Sequence, residues 1–352
     1  MRTELLDYDL PDELIAKRPL AERDASRLLV LDRGAIEHRR IRELPELLPE
    51  GALLVVNDTR VRQARVFGRR RESGGKVELL MLGRSPELEK PDGRELWQAL
   101  GRSSKPLRIG IGIDAGRLAC EVLDRADDGT LLLAVSAAEG VETVLAAEGR
   151  VPIPPYLGRD DDADDAVRYQ TVYANRIGSV AAPTAGLHLT PELLARIAAR
   201  GIELGRLELE VGLGTFRPIV ADDLSGHVMH QEKFRIEPDL AQKVASARAR
   251  GAPVVAVGTT VVRALESAAD PALPGHVLAQ STETRLLIQP GYAFRVVDSL
   301  LTNFHQPKST LLALVAAFAG FDAMRAAYRT ALAERYRFLS FGDAMWLPRR
   351  AS

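Results

Sequence analysis

The stretch Val254-Val-Ala-Val-Gly-Thr-Thr-Val-Val-Arg-Ala-Leu265 places an apolar run before Gly258 and a helix-forming segment after it. An apolar, β-branched run that ends in a glycine and two threonines predicts a buried strand, a tight loop and a helix. The same order recurs at residues 202–211 and at residues 295–301, the latter with a helix from Ser309. Such alternation predicts an α/β domain with a mixed or parallel sheet.

A second type of pattern interrupts this alternation. The apolar run at residues 53–56 predicts a buried strand that leads into a loop at Asn57, but short alternating runs follow at residues 64–68, 76–82, 95–100, 118–123 and 130–135. Turn residues separate these runs, which predicts a small antiparallel barrel or sandwich. We therefore predict a barrel domain of residues 62–150, inserted into an α/β domain of residues 1–61 and 151–352, with bounds accurate to about four residues.

Composition limits the class of protein. The chain has 352 residues, 46% of them hydrophobic and 27% charged, which is enough to bury a core and suits two domains. A net charge of −1 argues against a non-specific polyanion binder, although a local basic face would still bind RNA. One cysteine, Cys120, fits a reducing cytosol. Neither an apolar secretory leader nor a run of about 20 apolar residues is present, so we expect a cytoplasmic protein without a membrane segment.

Three loop-like stretches carry most of the candidate chemistry. They are Gly178-Ser-Val-Ala-Ala-Pro-Thr-Ala-Gly-Leu-His-Leu-Thr190, Leu207-Glu-Leu-Glu-Val-Gly-Leu-Gly-Thr-Phe-Arg-Pro218 and His227-Val-Met-His-Gln-Glu-Lys-Phe234. The first predicts a loop of small residues that ends at Thr190, the N-cap of a helix from Pro191. Neither Gly212–Gly214 nor residues 110–116 continues as a dinucleotide-binding glycine loop does, because Pro218 or a strand pattern follows.

These stretches resemble the signature of the S-adenosylmethionine:tRNA ribosyltransferase-isomerases of queuosine synthesis. Further matches are Val56-Asn-Asp-Thr-Arg60, Val151-Pro-Ile-Pro-Pro-Tyr156, Gly258-Thr-Thr260, Gln289-Pro-Gly-Tyr292 and Thr302-Asn-Phe-His305. The resemblance implies an α/β domain with an inserted β-barrel, S-adenosylmethionine as ribosyl donor and tRNA carrying 7-aminomethyl-7-deazaguanine as acceptor. It implies no metal. We expect a monomer.

The reaction implied by the resemblance needs a base for a ribose C5′ hydrogen and an acid for departing adenine. We predict the catalytic groups among four residues: His188, Glu210, His230 and Glu232. We predict contacts to S-adenosylmethionine or the acceptor from Asp58, Thr59, Arg60, Thr184, Gly186, Gly212, Gly214, Thr215, Phe216, Thr259, Thr260, Tyr292, Asn303 and His305. Phe216 or Tyr292 would face the sulfonium with its ring.

Several alternatives stay open at this point. His227, His230 and Glu232 admit a metal site, although a third strong ligand in fixed spacing is missing. The Thr259–Thr260 pair suits either an anion at a helix N-terminus or simple N-capping. Glu210 stands where the family has a histidine, which leaves open a paralogue acting on a related substrate or a non-catalytic RNA-binding protein; an ordinary methyltransferase is the third option.

Basic residues gather in the predicted barrel. We predict tRNA contacts from Arg65, Arg69, Arg70, Arg71 and Lys76, with the alternative that they guard a solvated strand edge. The acidic run at residues 160–165 is typical of a solvated, mobile loop.

Overall fold

The structure, a computed structural model, describes residues 1–85, 93–212, 219, 221–227 and 229–348. Elements are numbered in chain order. The helices are α1 (Leu44–Leu47), α2 (Val141–Glu148), α3 (Asp165–Arg168), α4 (Pro191–Ala199), α5 (Pro238–Ala249), α6 (Thr259–Ser267), α7 (Thr310–Ala319) and α8 (Phe321–Ala333). The predicted contacts Gly214, Thr215 and Phe216 lie outside the described residues.

A nine-stranded mixed sheet organises the larger part of the molecule. Its order is β15-β13-β12-β3-β14-β16-β17-β1-β2. The strands are β1 (Arg27–Asp32), β2 (Ala35–Arg40), β3 (Leu53–Asn57), β12 (Glu203–Leu209), β13 (Glu232–Ile236), β14 (Val254–Val257), β15 (Gln280–Thr284), β16 (Ser299–Asn303) and β17 (Ala344–Pro348).

The central strands of this sheet are parallel and fully buried. Strands β12, β3, β14 and β16 run in one direction, and every residue of β3 and β14 is buried. Apolar side chains on the two sides of the sheet form two separate clusters, which explains why these strands read as continuous apolar runs rather than alternating ones. The carboxyl ends of the four strands therefore share one edge of the sheet.

Six short strands close into an antiparallel barrel of order β10-β7-β6-β5-β8-β9. They are β5 (Arg65–Arg70), β6 (Lys76–Arg84), β7 (Glu95–Ser103), β8 (Gly112–Ala115), β9 (Leu118–Arg125) and β10 (Leu131–Ser136). The sequence predicts five of them; β8 is missed because its glycine-rich sequence resembles a loop. The barrel has its own core, and β4 (Thr59–Val61) pairs with β11 (Arg176–Ser179) at its base. The predicted α/β architecture with an inserted barrel is confirmed, while the domain bounds stay a prediction.

Helix ends follow the expected capping. The Thr190 hydroxyl accepts a hydrogen bond from Leu193 N at 3.1 Å and starts α4, as predicted. Thr259 and Thr260 make no such cap: Gly258, with φ 94°, is the N-cap of α6 and no side chain caps this helix. The N-capping interpretation of the two threonines is therefore wrong.

The acidic run is not the solvated loop that its charge predicts. Asp165 is 1% exposed and accepts two hydrogen bonds from Arg159, at 2.6 and 2.8 Å. Asp161, also buried, lies 3.6 Å from Arg65 and 3.3 Å from Arg150. Arginines, one directly before the run and others farther along the chain, pair with two of these carboxylates and bring them into the protein.

Within the described part of the chain, no single helix is both long and apolar enough to cross a membrane. Only α7 and α8 taken together, with a bend of 114° between them, reach the required length and apolar composition.

Candidate active site

A buried network of neutral side chains fixes the loops at the carboxyl ends of β3 and β12. Asn57 bridges the two strands: its Nδ2 donates to Leu209 O at 3.0 Å and its Oδ1 accepts from Leu209 N at 3.1 Å. Ser179 Oγ accepts from Val211 N at 2.8 Å and bonds Thr59 Oγ1 at 2.8 Å. Because all these groups are uncharged and paired, they hold the backbone on either side of Glu210 without a charge of their own.

A large cavity of about 740 Å³ opens beside this network, between the barrel and the sheet. Its lining combines the outer surface of β6 and β7 with the segment that follows β12 and the segment that leads into β13. Three of the four predicted catalytic residues, Glu210, His230 and Glu232, lie in this lining together with Gly212. The other ionisable groups that line it are Arg62, Arg84, Asp128, Lys233 and Glu283.

Glu210 is the half-buried carboxylate of the cavity. Burial raises its pKa, and nearby Glu208 raises it further, while the charges of Lys233 and Arg62 oppose the shift. Gly178 packs against it so closely that an added Cβ would lie 3.0 Å from Glu210 Cγ. A carboxylate with a raised pKa is a stronger proton acceptor than an exposed one, which suits a general base.

Glu232 occupies a different environment from Glu210. It is 5% exposed and forms an ion pair with Arg263, which is 4% exposed. Arg263 also donates from Nε to Leu286 O at 3.0 Å. The arginine therefore compensates the charge of this carboxylate and fixes its position inside the protein.

Of the two histidines in the third stretch, His230 lines the large cavity and His227 does not. His230 is exposed and His227 half-buried. Burial and the neighbouring His230 lower the pKa of His227. Among the residues that the structure describes, no three His, Cys, Asp or Glu side chains form a group that would hold a metal ion.

A small cavity of about 40 Å³ lies at the carboxyl ends of β14 and β16, and Val211 borders both cavities. Five of the predicted substrate contacts line it: Thr184, Thr259, Thr260, Asn303 and His305. Gly258 and Thr259 place the first turn of α6 in this lining. Thr260 Oγ1 and Asn303 Oδ1 are buried without a hydrogen-bond partner among the described residues.

Two imidazoles at this end of the sheet are buried and neutral. Burial lowers the pKa of His305 to about 3 and that of His188 to about 4. His305 Nε2 bonds Thr302 Oγ1 at 2.8 Å, and His188 Nε2 lies 3.3 Å from Asn303 Nδ2. His188 lines neither the large nor the small cavity, so the structure does not bring it together with the other three predicted catalytic residues.

Several predicted contacts lie outside both cavities. The hydroxyl of Tyr292 donates to Glu266 at 3.2 Å, and Gly186 packs against Tyr173, whose hydroxyl an added Cβ would approach to 2.0 Å. Three others lie along β4 and just before it, away from both linings: Asp58, Thr59 and Arg60. These residues line neither of the two cavities, and their contacts with substrate stay predictions.

The predicted tRNA contacts divide into paired and unpaired side chains. Arg65 binds Glu78 at 2.7 Å and Arg71 binds Asp114 at 2.8 Å, while Arg70 donates to Ser103 Oγ at 3.1 Å. Arg69 and Lys76 are exposed, and neither forms an ion pair within the described residues. All five residues stay predicted tRNA contacts, because a partner at the protein surface does not exclude a phosphate.

Charged residues of the site that sequence reasoning missed include Arg62, Lys233 and Arg263. Arg62 is 8% exposed and binds Glu142 at 2.8 Å, and its guanidinium lies 5.3 Å from the Trp97 ring centroid. Lys233 could have been found from the sequence, because it lies between Glu232 and Phe234 in the alternating pattern of β13. Arg263 has none, because it lies within an apolar helix segment and meets Glu232 only in the folded chain.

Known proteins resemble this chain over its whole length. Residues 3–347 match the family described as queuosine biosynthesis protein. An S-adenosylmethionine:tRNA ribosyltransferase-isomerase of Sorangium cellulosum is 55% identical, with 98% of each chain covered, and one of Anaeromyxobacter sp. (strain Fw109-5) is 49% identical, with 99% covered. The crystal structure of an S-adenosylmethionine tRNA ribosyltransferase from Thermotoga maritima superposes with a TM-score of 0.54 at 35% identity, covering 97% of this chain and 99% of that one. The chain therefore belongs to the queuosine biosynthesis family of tRNA ribosyltransferase-isomerases and is an enzyme.

Proposed function

We propose that the enzyme transfers and isomerises the ribosyl group of S-adenosylmethionine onto 7-aminomethyl-7-deazaguanine at the tRNA wobble position. The products are epoxyqueuosine-tRNA, adenine and methionine. The observation that carries the proposal is the pair of adjoining cavities. The large one is lined by ionisable side chains, and the small one is lined by neutral hydrogen-bonding groups. We further propose that the enzyme acts as a cytoplasmic monomer without a metal.

The large cavity would hold the reacting ribose and the acceptor base. The sulfonium of the donor acidifies the adjacent C5′ hydrogens, and Glu210 is our choice for the base that removes one. His230, the imidazole in the lining, would supply a proton to adenine as it leaves. Glu232, held in place by Arg263, would face the positive charge of the donor.

The small cavity would hold the methionine carboxylate of the donor. The first turn of α6 presents backbone N–H groups and the positive end of the helix dipole there. Thr260 adds a hydroxyl that is buried and unpaired in the described part of the chain, and thus free to donate. Val211, shared by both linings, places this anion site next to Glu210.

The experiment that tests the proposal is a product analysis. Protein, S-adenosylmethionine and tRNA bearing the aminomethyl-deazaguanine base are mixed, and the small molecules are separated by chromatography. Free adenine and methionine in equal amounts are the expected result. S-adenosylhomocysteine would indicate methyl transfer instead, and retention of RNA without turnover would indicate a binding protein; either outcome overturns the proposal.

A further inference from the structure

One outer face of the barrel continues the wall of the large cavity. Leu82, Gln98 and Leu100 line the cavity from β6 and β7, and their neighbours Met81 and Ala99 are buried in the barrel core. Side chains alternate along a strand, so every second residue shares the outer face. Arg102, two residues beyond Leu100, therefore lies about 7 Å further along this face.

The strand register extends this face to β5. Arg102 pairs with Glu78 of β6, and Glu78 pairs with Phe67 of β5. In the next row, Lys76 pairs with Arg69. We call the surface of Phe67, Arg69, Lys76 and Arg102 the barrel face; two strand spacings of about 4.8 Å separate Phe67 from Arg102.

Phe67 is an exposed aromatic side chain within a basic setting. It is 47% exposed, although a phenylalanine on a barrel strand has a core available to it. The guanidinium of Arg65 lies 4.8 Å from its ring centroid and that of Arg150 lies 5.8 Å away. Aromatic rings beside arginine guanidinium groups bind unstacked nucleobases, because every base offers a π-face.

The barrel face has a net positive charge, because its acidic side chain is already paired with an arginine. Its acidic side chain, Glu78, is already bound to Arg65. Arg69, Lys76 and Arg102 are exposed and form no ion pair within the part of the chain that the structure describes. A protein partner would need acidic groups and a matching apolar patch, whereas nucleotides supply a ring and a phosphate together.

We propose that the barrel face binds single-stranded nucleotides flanking the modified base, with Phe67 as the stacking platform and Arg69, Lys76 and Arg102 as phosphate contacts. The inference rests on the proposed function, since it assumes an RNA substrate in the large cavity. It also gives the path of the RNA strand: the target base enters the large cavity past Leu100, and the neighbouring nucleotides lie along the barrel face.

The test compares variants for binding of an anticodon stem-loop RNA by fluorescence anisotropy at several salt concentrations. F67A is expected to weaken binding about 5- to 150-fold, the range for loss of one stacked base, with an unchanged salt slope. F67W is expected to bind like the wild type. The double variant K76Q/R102Q is expected to bind more weakly with a smaller salt slope, by about 0.7 for each single-strand phosphate that the protein no longer neutralises.

Two matched controls keep the result specific. I109A removes an apolar side chain of the barrel that is 66% exposed and lies outside the barrel face. R117Q removes a barrel arginine that Glu148 and Glu139 already hold and that lies outside the barrel face. Both are expected to leave RNA binding unchanged.

Steady-state kinetics separates this inference from the proposed function. F67A is expected to raise KM for tRNA and to leave KM for S-adenosylmethionine unchanged. Wild-type RNA affinity in F67A, or equal weakening in F67W and F67A, would overturn the inference while adenine release by the wild type still stands. Absence of adenine release by the wild type would overturn the proposed function instead, whatever the RNA binding shows.

Discussion

The side chains that line the two cavities differ in charge, and this difference indicates which cavity suits proton transfer and which suits binding of an anion. The large cavity is lined by carboxylates, imidazole and cations, many of them partly exposed. The small cavity is lined by threonines, an amide and an imidazole whose pKa burial lowers to about 3, so that it is neutral at physiological pH. Groups that exchange protons need access to charge and solvent, whereas an anion site works best with fixed dipoles and little water.

The sharpest test of this division is Glu210→Gln. The amide keeps the shape but accepts no proton, so adenine release is expected to fall by about 10²- to 10⁴-fold. Because burial raises the pKa of Glu210, wild-type kcat/KM is expected to fall as pH drops through a value above that of an ordinary glutamate. The variant is expected to lose that acidic limb.

Glu208→Gln is the matched control for Glu210→Gln. Glu208 lies on the same segment and faces Arg176 at 3.6 Å, outside the cavity lining. Its variant is expected to retain most activity. An equal loss in both variants would assign Glu210 a structural role.

The next largest effect concerns the buried ion pair. Arg263→Met breaks the buried Arg263–Glu232 ion pair from one side, which is expected to lower the free energy of unfolding by about 3–5 kcal/mol. Urea denaturation measures this. The double variant E232Q/R263M removes both charges and is expected to recover part of the loss; no recovery would mean that the arginine acts through packing alone.

A smaller effect is expected from the buried imidazoles. The unfolded chain binds a proton on each histidine below about pH 6.5, but folded His188 does so only below about pH 4. The unfolded state therefore holds more protons between these values, and stability is lost as pH falls through the window.

At pH 5 the cost is on the order of 2 kcal/mol for His188. His188→Gln is expected to flatten the pH dependence of unfolding by that amount. An unchanged slope between pH 6.5 and pH 5 would contradict a buried neutral imidazole.

The smallest expected effect belongs to the small cavity. Thr260→Val removes one unpaired hydroxyl, so KM for S-adenosylmethionine is expected to rise about 2- to 13-fold with kcat nearly unchanged, as for a hydrogen bond of about 0.5–1.5 kcal/mol. Thr171→Val is the control, since Thr171 is also buried with an unpaired hydroxyl but lines neither cavity. Equal effects of the two variants on KM would contradict the proposal that the small cavity binds the methionine carboxylate.

Much of the fold follows from the sequence because its signals are local. An apolar run followed by Gly258 and two threonines specifies β14 and α6, Thr190 specifies the start of α4, and alternating runs specify five of the six barrel strands. Each signal depends on backbone geometry and on burial within one element, which neighbouring residues determine. The resemblance to known enzymes likewise rests on contiguous motifs.

Pairing between distant charges was decided by the tertiary structure alone. The sequence shows Arg65 and Lys76 as equivalent cations, but Glu78 and the acidic run occupy the first and leave the second exposed. The sequence likewise shows His188 and Glu210 as equivalent bases. In the folded chain, burial lowers the pKa of His188 and raises that of Glu210. A charge's pKa and availability depend on desolvation and on partners tens or hundreds of residues away, and these exist only once the chain is folded.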